Sequence, residues 1–169
     1  MLDRMIRASQ LSTDLYEELE KDEGATRQAL IVVLLVAVAT GIGALEGGIV
    51  ALLVGIVSAV VGWAVWAWIT YFIGTTILRT PETKASWGEL ARTTGFAQSP
   101  GILRVLGFIP VLGGIIVLVA AIWQLVAMVV AVRQALDYQS TPRAVGVVIL
   151  GFIPYIIILA LVEIGLGLV

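Results

Sequence analysis

The sequence predicts an all-α protein built as a polytopic membrane helical bundle. Five transmembrane segments are expected, the third irregular and broken by proline and glycine, behind a short N-terminal amphipathic helix. Three observations carry this reading. Of 169 residues, 60 % are hydrophobic and only 13 % charged, far from the balance of a soluble domain. Nearly all the charge gathers in three islands, Met1 to Gln28, Arg79 to Arg92 and Arg133 to Arg143. The apolar runs between the islands are long enough, at about 1.5 Å per helical residue, to cross a hydrocarbon core of about 30 Å.

The composition also excludes several functions. Cysteine and histidine are both absent, which removes disulfides, thiolate nucleophiles, haem histidines and the usual zinc sites. No cofactor is expected. With ten basic against twelve acidic residues there is no basic face for a phosphate backbone, so no nucleic-acid partner is expected. The first apolar run begins only at Ala29, so no signal-peptide pattern is evident. Without His or Cys no Ser-His-Asp or Cys-His arrangement exists, and no GxxxxGK[ST] loop occurs, so the chain is expected not to be an enzyme.

Residues 1–28 read as a cytoplasmic amphipathic segment and 29–169 as the bundle. Leu11, Leu15 and Leu19 recur every fourth residue beside Tyr16, with Asp14, Glu17, Glu18, Glu20 and Asp22 on the other faces, which predicts a helix stopped near Gly24. Asp14 and Glu17 offer a start resembling a capping box, and Met1, Leu2, Met5 and Ile6 form a second apolar cluster. This helix is expected to lie against the membrane face of the bundle or to dock a partner. The acidic run Glu17 to Glu23 lacks the spacing of a calcium loop and reads as a solvated face.

The first span is expected over 29–46, capped by Thr26 and followed by a turn at Glu46-Gly47-Gly48. The second, 49–76, lies within an apolar run to Leu78 whose length of roughly 45 Å exceeds the bilayer, so it must tilt or protrude. Its Trp63, Trp66, Trp68, Tyr71 and Phe72 suit a headgroup region. Ser58 with Gly62, and Gly43 with Gly47, are spaced for close helix packing. The third segment is 87–109, the fourth 111–133, and the fifth 145–168 with Pro154 inside it.

Five crossings with the N-terminus inside place Arg4, Arg7, Lys21, Arg27, Arg79, Lys84, Arg133 and Arg143 on the cytoplasmic side. If 87–109 does not cross, Arg133 and Arg143 are stranded outside. The segment is therefore read as an irregular crossing or as a deep pair of embedded half-helices. Pro100 and Pro110 remove amide donors, and Gly95 and Gly101 loosen the backbone. Such backbone survives at membrane depth only when enclosed by protein or facing a watery cavity.

Arg104, Glu46 and Glu163 each fall roughly 26 Å along their helices from the cytoplasmic starts. An ion pair of Arg104 with Glu163, Glu46 or both is expected, serving either as a structural pair or snorkelling group, or as a lipid-headgroup or substrate site. Glu89 with Arg92, and Arg133 with Asp137, have the spacing of ordinary helical pairs at the inner surface. "LGFIP" occurs at Leu106 to Pro110 and at Leu150 to Pro154, but the flanks do not align, and the composition makes coincidence as good an account as a repeat.

The succession "DLYEELEKD", "QALIVVLL", "WGELARTTGFAQSP" and "AVRQALDYQSTPRAVGVVILG" resembles bacterial members of the Yip1 domain family over nearly the whole chain. The resemblance implies a compact five-span α-helical bundle with a cytoplasmic N-terminus, and marks Gly95, Phe96 and Pro100 as family-typical. Eukaryotic relatives are implied in vesicle trafficking and contact small GTPases through longer N-terminal regions. The region here is only Met1 to Gln28, so that contact is not carried over. The expected function is a non-catalytic, membrane-organising or accessory protein of the cytoplasmic membrane, binding lipid, other membrane proteins or itself. The alternative is a small transporter, channel or lipid-moving protein whose path is lined by Pro100, Pro154 and the buried charges.

Overall fold

The computed structural model of the chain describes residues 1–44 and 48–165, the side chains of 159, 162, 163 and 165 excepted. The N-terminal segment folds as two helices where one was expected, α1 (Leu2–Ser9) and α2 (Thr13–Lys21). Leu11 sits in the turn between them at φ 62°. Ser12, rather than Asp14, caps α2 by accepting from the Leu15 amide. A serine that can bond the backbone outside a helix favours such a break. The two helices close into a hairpin because Arg4 reaches Glu18 and Asp22 (2.8 Å) and Arg7 reaches Glu18 (2.9 Å).

Helix α3 spans Ala25–Ala44. It is started by the Asp22 and Glu23 carbonyls, which accept from the Ala25 and Thr26 amides, so Thr26 lies inside the first turn instead of capping it. Glu46 and Gly47 lie outside the described residues, and α4 runs Gly48–Phe72 and continues as a π-helical turn, Ile73–Ile77. There the Thr75 and Thr76 hydroxyls bond the Tyr71 and Phe72 carbonyls, competing with the regular ladder. Helix α5 (Trp87–Phe96) opens on a full capping box between Ser86 and Glu89. A 3-10 helix, Ser99–Phe108, follows with Pro100 in its first turn. Helices α6 (Leu112–Ala135) and α7 (Thr141–Gly165) complete the chain.

Among the described residues four helices are long and apolar enough to cross a membrane: Ala25–Ala44, Gly48–Ile77, Leu112–Ala135 and Thr141–Ile158. The segment between the second and third of these is two shorter pieces. Its path is fixed by its neighbours. The Tyr138 hydroxyl, just past α6, donates to the Gly74 and Leu78 carbonyls at the end of α4 (3.0 and 2.9 Å), so α4 and α6 finish at the same end of the bundle. The chain from 78 to 111 must therefore return to the opposite end before α6 begins. It does so alongside α3: Gly95 abuts Ala29, Gly101 abuts Val36, and Gly107 abuts Gly43. The 3-10 winding suits this, since at about 2.0 Å per residue it advances further than an α-helix of equal length.

The packed core lies towards the hairpin end. Leu15, Tyr16 and Leu19 of α2, Leu90 of α5, Val132 of α6 and Val147 of α7 are fully buried there. At the other end aliphatic side chains such as Ile49, Leu53, Ile115, Leu118, Ile153 and Ile157 face outwards, as expected of a surface solvated by lipid. The two "LGFIP" copies adopt different backbones, one ending the 3-10 helix and one inside α7.

Candidate functional site

The 3-10 helix determines the chemistry of the bundle interior. With three residues per turn, side chains at i and i+3 stack in a row, which aligns Gln98, Gly101, Arg104 and Gly107. The glycines in this row are sites of contact. A Cβ on Gly101 would meet Val36 of α3 at 2.7 Å and the Gln124 carboxamide of α6 at 3.0 Å, and Gly43 faces the Arg104 carbonyl directly. The two polar residues between them face open space.

That space comprises three cavities. One, of about 320 Å³, lies between α3 and α4 and is walled by Thr40, Gly41, Ala51, Gly55 and Ala59. A second, of about 460 Å³, lies among α4, α6 and α7, beside Trp63, Trp66, Gln124, Phe152 and Tyr155. Gln98 and Arg104 line both. A third, of about 400 Å³, lies against Thr40, Gly107 and the amino end of α6 at Gly113 and Gly114, again with Arg104 on its wall. Arg104 is half-buried and common to all three. The Gln124 Oε1 is buried and, among the described residues, has no hydrogen-bond partner. The floor of the second cavity is aromatic, with Trp66 against Phe152 (4.9 Å) and edge-on to Tyr155 (5.3 Å), its indole N–H donating to the Met128 sulfur.

The predicted residues are distributed as follows. Glu46 and the side chain of Glu163, the expected partners of Arg104, lie outside the described residues. Gly95 packs on Ala29 and Trp63, whose indole donates to the Ala91 carbonyl at 2.9 Å. Pro100 is buried at the start of the 3-10 helix, and Pro110 precedes a tight turn in which the Leu112 amide bonds the Pro110 carbonyl around Val111 (φ 68°, ψ −46°). Pro154 lies inside α7 between Phe152 and Tyr155.

The two inner-surface pairs do not form. Glu89 is engaged in the capping box, and Arg92 instead donates to the Leu19 and Glu20 carbonyls of α2 (2.7 and 2.6 Å). The last turn of a helix carries partial negative charge and free carbonyls, which a buried guanidinium satisfies well. Asp137 is not helical. It follows α6 at φ 53°, so helical spacing to Arg133 does not apply, and Arg133 donates to the Tyr138 carbonyl and the Thr141 hydroxyl.

Beside them the partly buried Glu20 faces a polar groove with Glu17, Lys21, Arg133 and Asp137. Burial, then the nearby Asp137, Glu89 and Glu17, push its carboxyl up to about 7. By contrast Arg4, then Arg7, hold Glu18 below the usual carboxylate range.

Sequence reasoning missed Gln98, Gln124 and Tyr155 as lining residues. A polar residue at 98 and at 104 with glycine at 101 and 107 is a period of three, legible only once a 3-10 helix is entertained. Ala51, Gly55, Ala59 and Gly62 likewise mark one face of α4.

An all-helical chain with several membrane-length apolar helices and a short amphipathic N-terminal hairpin is a multi-pass membrane protein. The Yip1 domain matches residues 12–162, and the chain belongs to that family. It is a family of generally non-enzymatic membrane proteins. No curated protein and no solved structure matches the chain.

Proposed function

We propose that this is a non-catalytic Yip1-type protein of the cytoplasmic membrane, which crosses the bilayer five times and organises the membrane or assists other membrane proteins by holding lipid in the cleft around Arg104. The carrying observation is that one half-buried arginine is shared by three cavities in a bundle whose surroundings are apolar. A cation at that depth favours an anionic partner, and lipid is the partner present at every collision.

The fifth crossing is supported by the shared end of α4 and α6 and by the register of the third segment along α3. Helix α5 and the 3-10 helix, ten residues each, advance together about 35 Å, enough for the hydrocarbon core. This path also puts Arg79, Lys84, Arg133 and Arg143 on the hairpin side, the cytoplasmic side by charge.

Native mass spectrometry of the protein extracted mildly from its own membrane tests this reading. Co-purified lipid on the single chain or its oligomer is expected, and an Arg104→Gln variant should retain less. A lipid-free protein whose Arg104 variant behaves like the original would overturn the lipid role.

A further inference from the structure

Lipid occupancy leaves open which kind of lipid the cleft takes, and the arrangement of its cavities narrows the choice. The two inner cavities lie on either side of the Gln98 and Arg104 side chains and share Ala59 as a wall. Their other walls are mostly apolar, from Ala51 and Leu52 in one to Trp66 and Phe152 in the other. The third cavity sits at the end of the bundle away from the hairpin. What sets it apart is its place, against the glycine backbone at the amino end of α6, where the helix dipole favours negative charge. Three compartments with mostly apolar walls meet at a single guanidinium, and the one at the end of the bundle lies beside the amino terminus of α6.

We propose that this cleft seats one two-chain glycerophospholipid of the leaflet opposite the hairpin. Its phosphodiester rests on Arg104 at the mouth of the cavity beside the amino end of α6, and its two acyl chains straddle the Gln98–Arg104 row, one between α3 and α4 and the other among α4, α6 and α7. This deepens the lipid-binding reading and rests on it. A guanidinium matches a phosphate oxygen pair geometrically. The small residues Gly55, Ala59 and Gly62 on α4 leave room where larger ones would close both chain compartments, since nothing lies within 4 Å of a Cβ built on Gly55 and only the Tyr155 hydroxyl end approaches one on Gly62. Gln98 flanks the guanidinium as a neutral group whose carboxamide N–H can serve the glycerol esters, the Thr40 hydroxyl donating instead to the Val36 carbonyl (2.8 Å).

The test is delipidated protein in detergent, offered phosphatidylglycerol, phosphatidylcholine, diacylglycerol and the single-chain lysophosphatidylglycerol in turn, with bound lipid counted by native mass spectrometry. Both two-chain phospholipids should be retained. Diacylglycerol, lacking phosphate, and the lyso lipid, lacking a chain, should each be held about tenfold more weakly, the effect of one lost charge-assisted contact or more. Arg104→Gln should erase the preference over diacylglycerol, and Ala59→Leu should reduce binding of all four. Because the lipid panel is read on the unmodified protein, a variant that fails to fold leaves the test intact. Diacylglycerol held as tightly as phosphatidylglycerol would overturn the phosphate assignment while leaving lipid binding standing. Equal retention of the lyso lipid would overturn the two-chain seat. Retention of none of the four would overturn both this inference and the lipid-binding reading beneath it.

Discussion

Gly43 of α3 and Arg104 of the 3-10 helix meet backbone to backbone: a Cβ built on Gly43 falls on the Arg104 carbonyl itself. The contact fixes how closely the irregular segment lies against α3 and therefore where the Arg104 side chain emerges. Both partners are main chain, so neither can swing aside. Gly43→Ala is expected to lower stability by at least about 1–3 kcal/mol through overpacking, read as a drop in thermal midpoint in detergent. Gly55→Ala, where nothing stands within 4 Å, should be neutral or stabilising, because alanine is the better helix former.

Because the chain has no cysteine, single cysteines report topology cleanly. Glu82→Cys, on the exposed loop before α5, and Val111→Cys, at the exposed turn before α6, are expected to react with an impermeant maleimide from opposite sides of the membrane. Labelling of both from one side would remove the third crossing.

Val111 is the centre of a γ-turn of the positive-φ kind, with a β-branched side chain that is 90 % exposed and makes no compensating packing. Such a conformation costs of order 1–3 kcal/mol. Val111→Gly should raise stability by about 1 kcal/mol after allowing for the freedom glycine adds to the unfolded chain, visible as a higher thermal midpoint. An unchanged or lower midpoint would argue that the strain is relieved otherwise.

The hairpin should respond to pH through Glu20. Its carboxyl is raised from 4.5 to about 7 in the folded state, so folding favours the protonated form, and the associated stability is present below the unfolded value and lost as pH rises through 7. Protection factors in α2, taken against the intrinsic exchange rate at each pH, are therefore expected to be lower at pH 8 than at pH 6. Glu20→Gln should flatten that difference and raise protection at pH 8. Glu18 and Asp22, both lowered by Arg4, act in the opposite sense and only in acid, below the usual carboxylate range.

Much of this fold was legible because hydrophobic run length and charge islands are coarse signals that survive any detail of packing. The four long helices each lie close to the runs read from sequence, whereas the Ser86 to Glu89 capping box, a local pattern, went unread because Glu89 was matched with Arg92. What escaped was decided by tertiary partners. The pairing of Arg92 with α2 carbonyls depends on a hairpin 72 residues away in sequence. The break at Ser12 follows from Arg4 and Arg7 closing onto Glu18, which no periodicity encodes. The irregularity between Gly95 and Pro110 was visible in composition, but its meaning was not. Two prolines and three glycines announce non-helical backbone, whereas a ten-residue 3-10 helix that stacks Gln98 over Arg104 emerges only from contacts with α3 and α6.

The uneven placement of the core has a mechanical consequence. Side chains at the hairpin end interlock, whereas the far half of α4 stands beside cavities and meets its neighbours across small residues. Opening free energies in such a molecule form a gradient along the membrane normal, stiff at one face and compliant at the other. The rim away from the hairpin is therefore the part expected to open or close first, as a hinged fan does about its pivot.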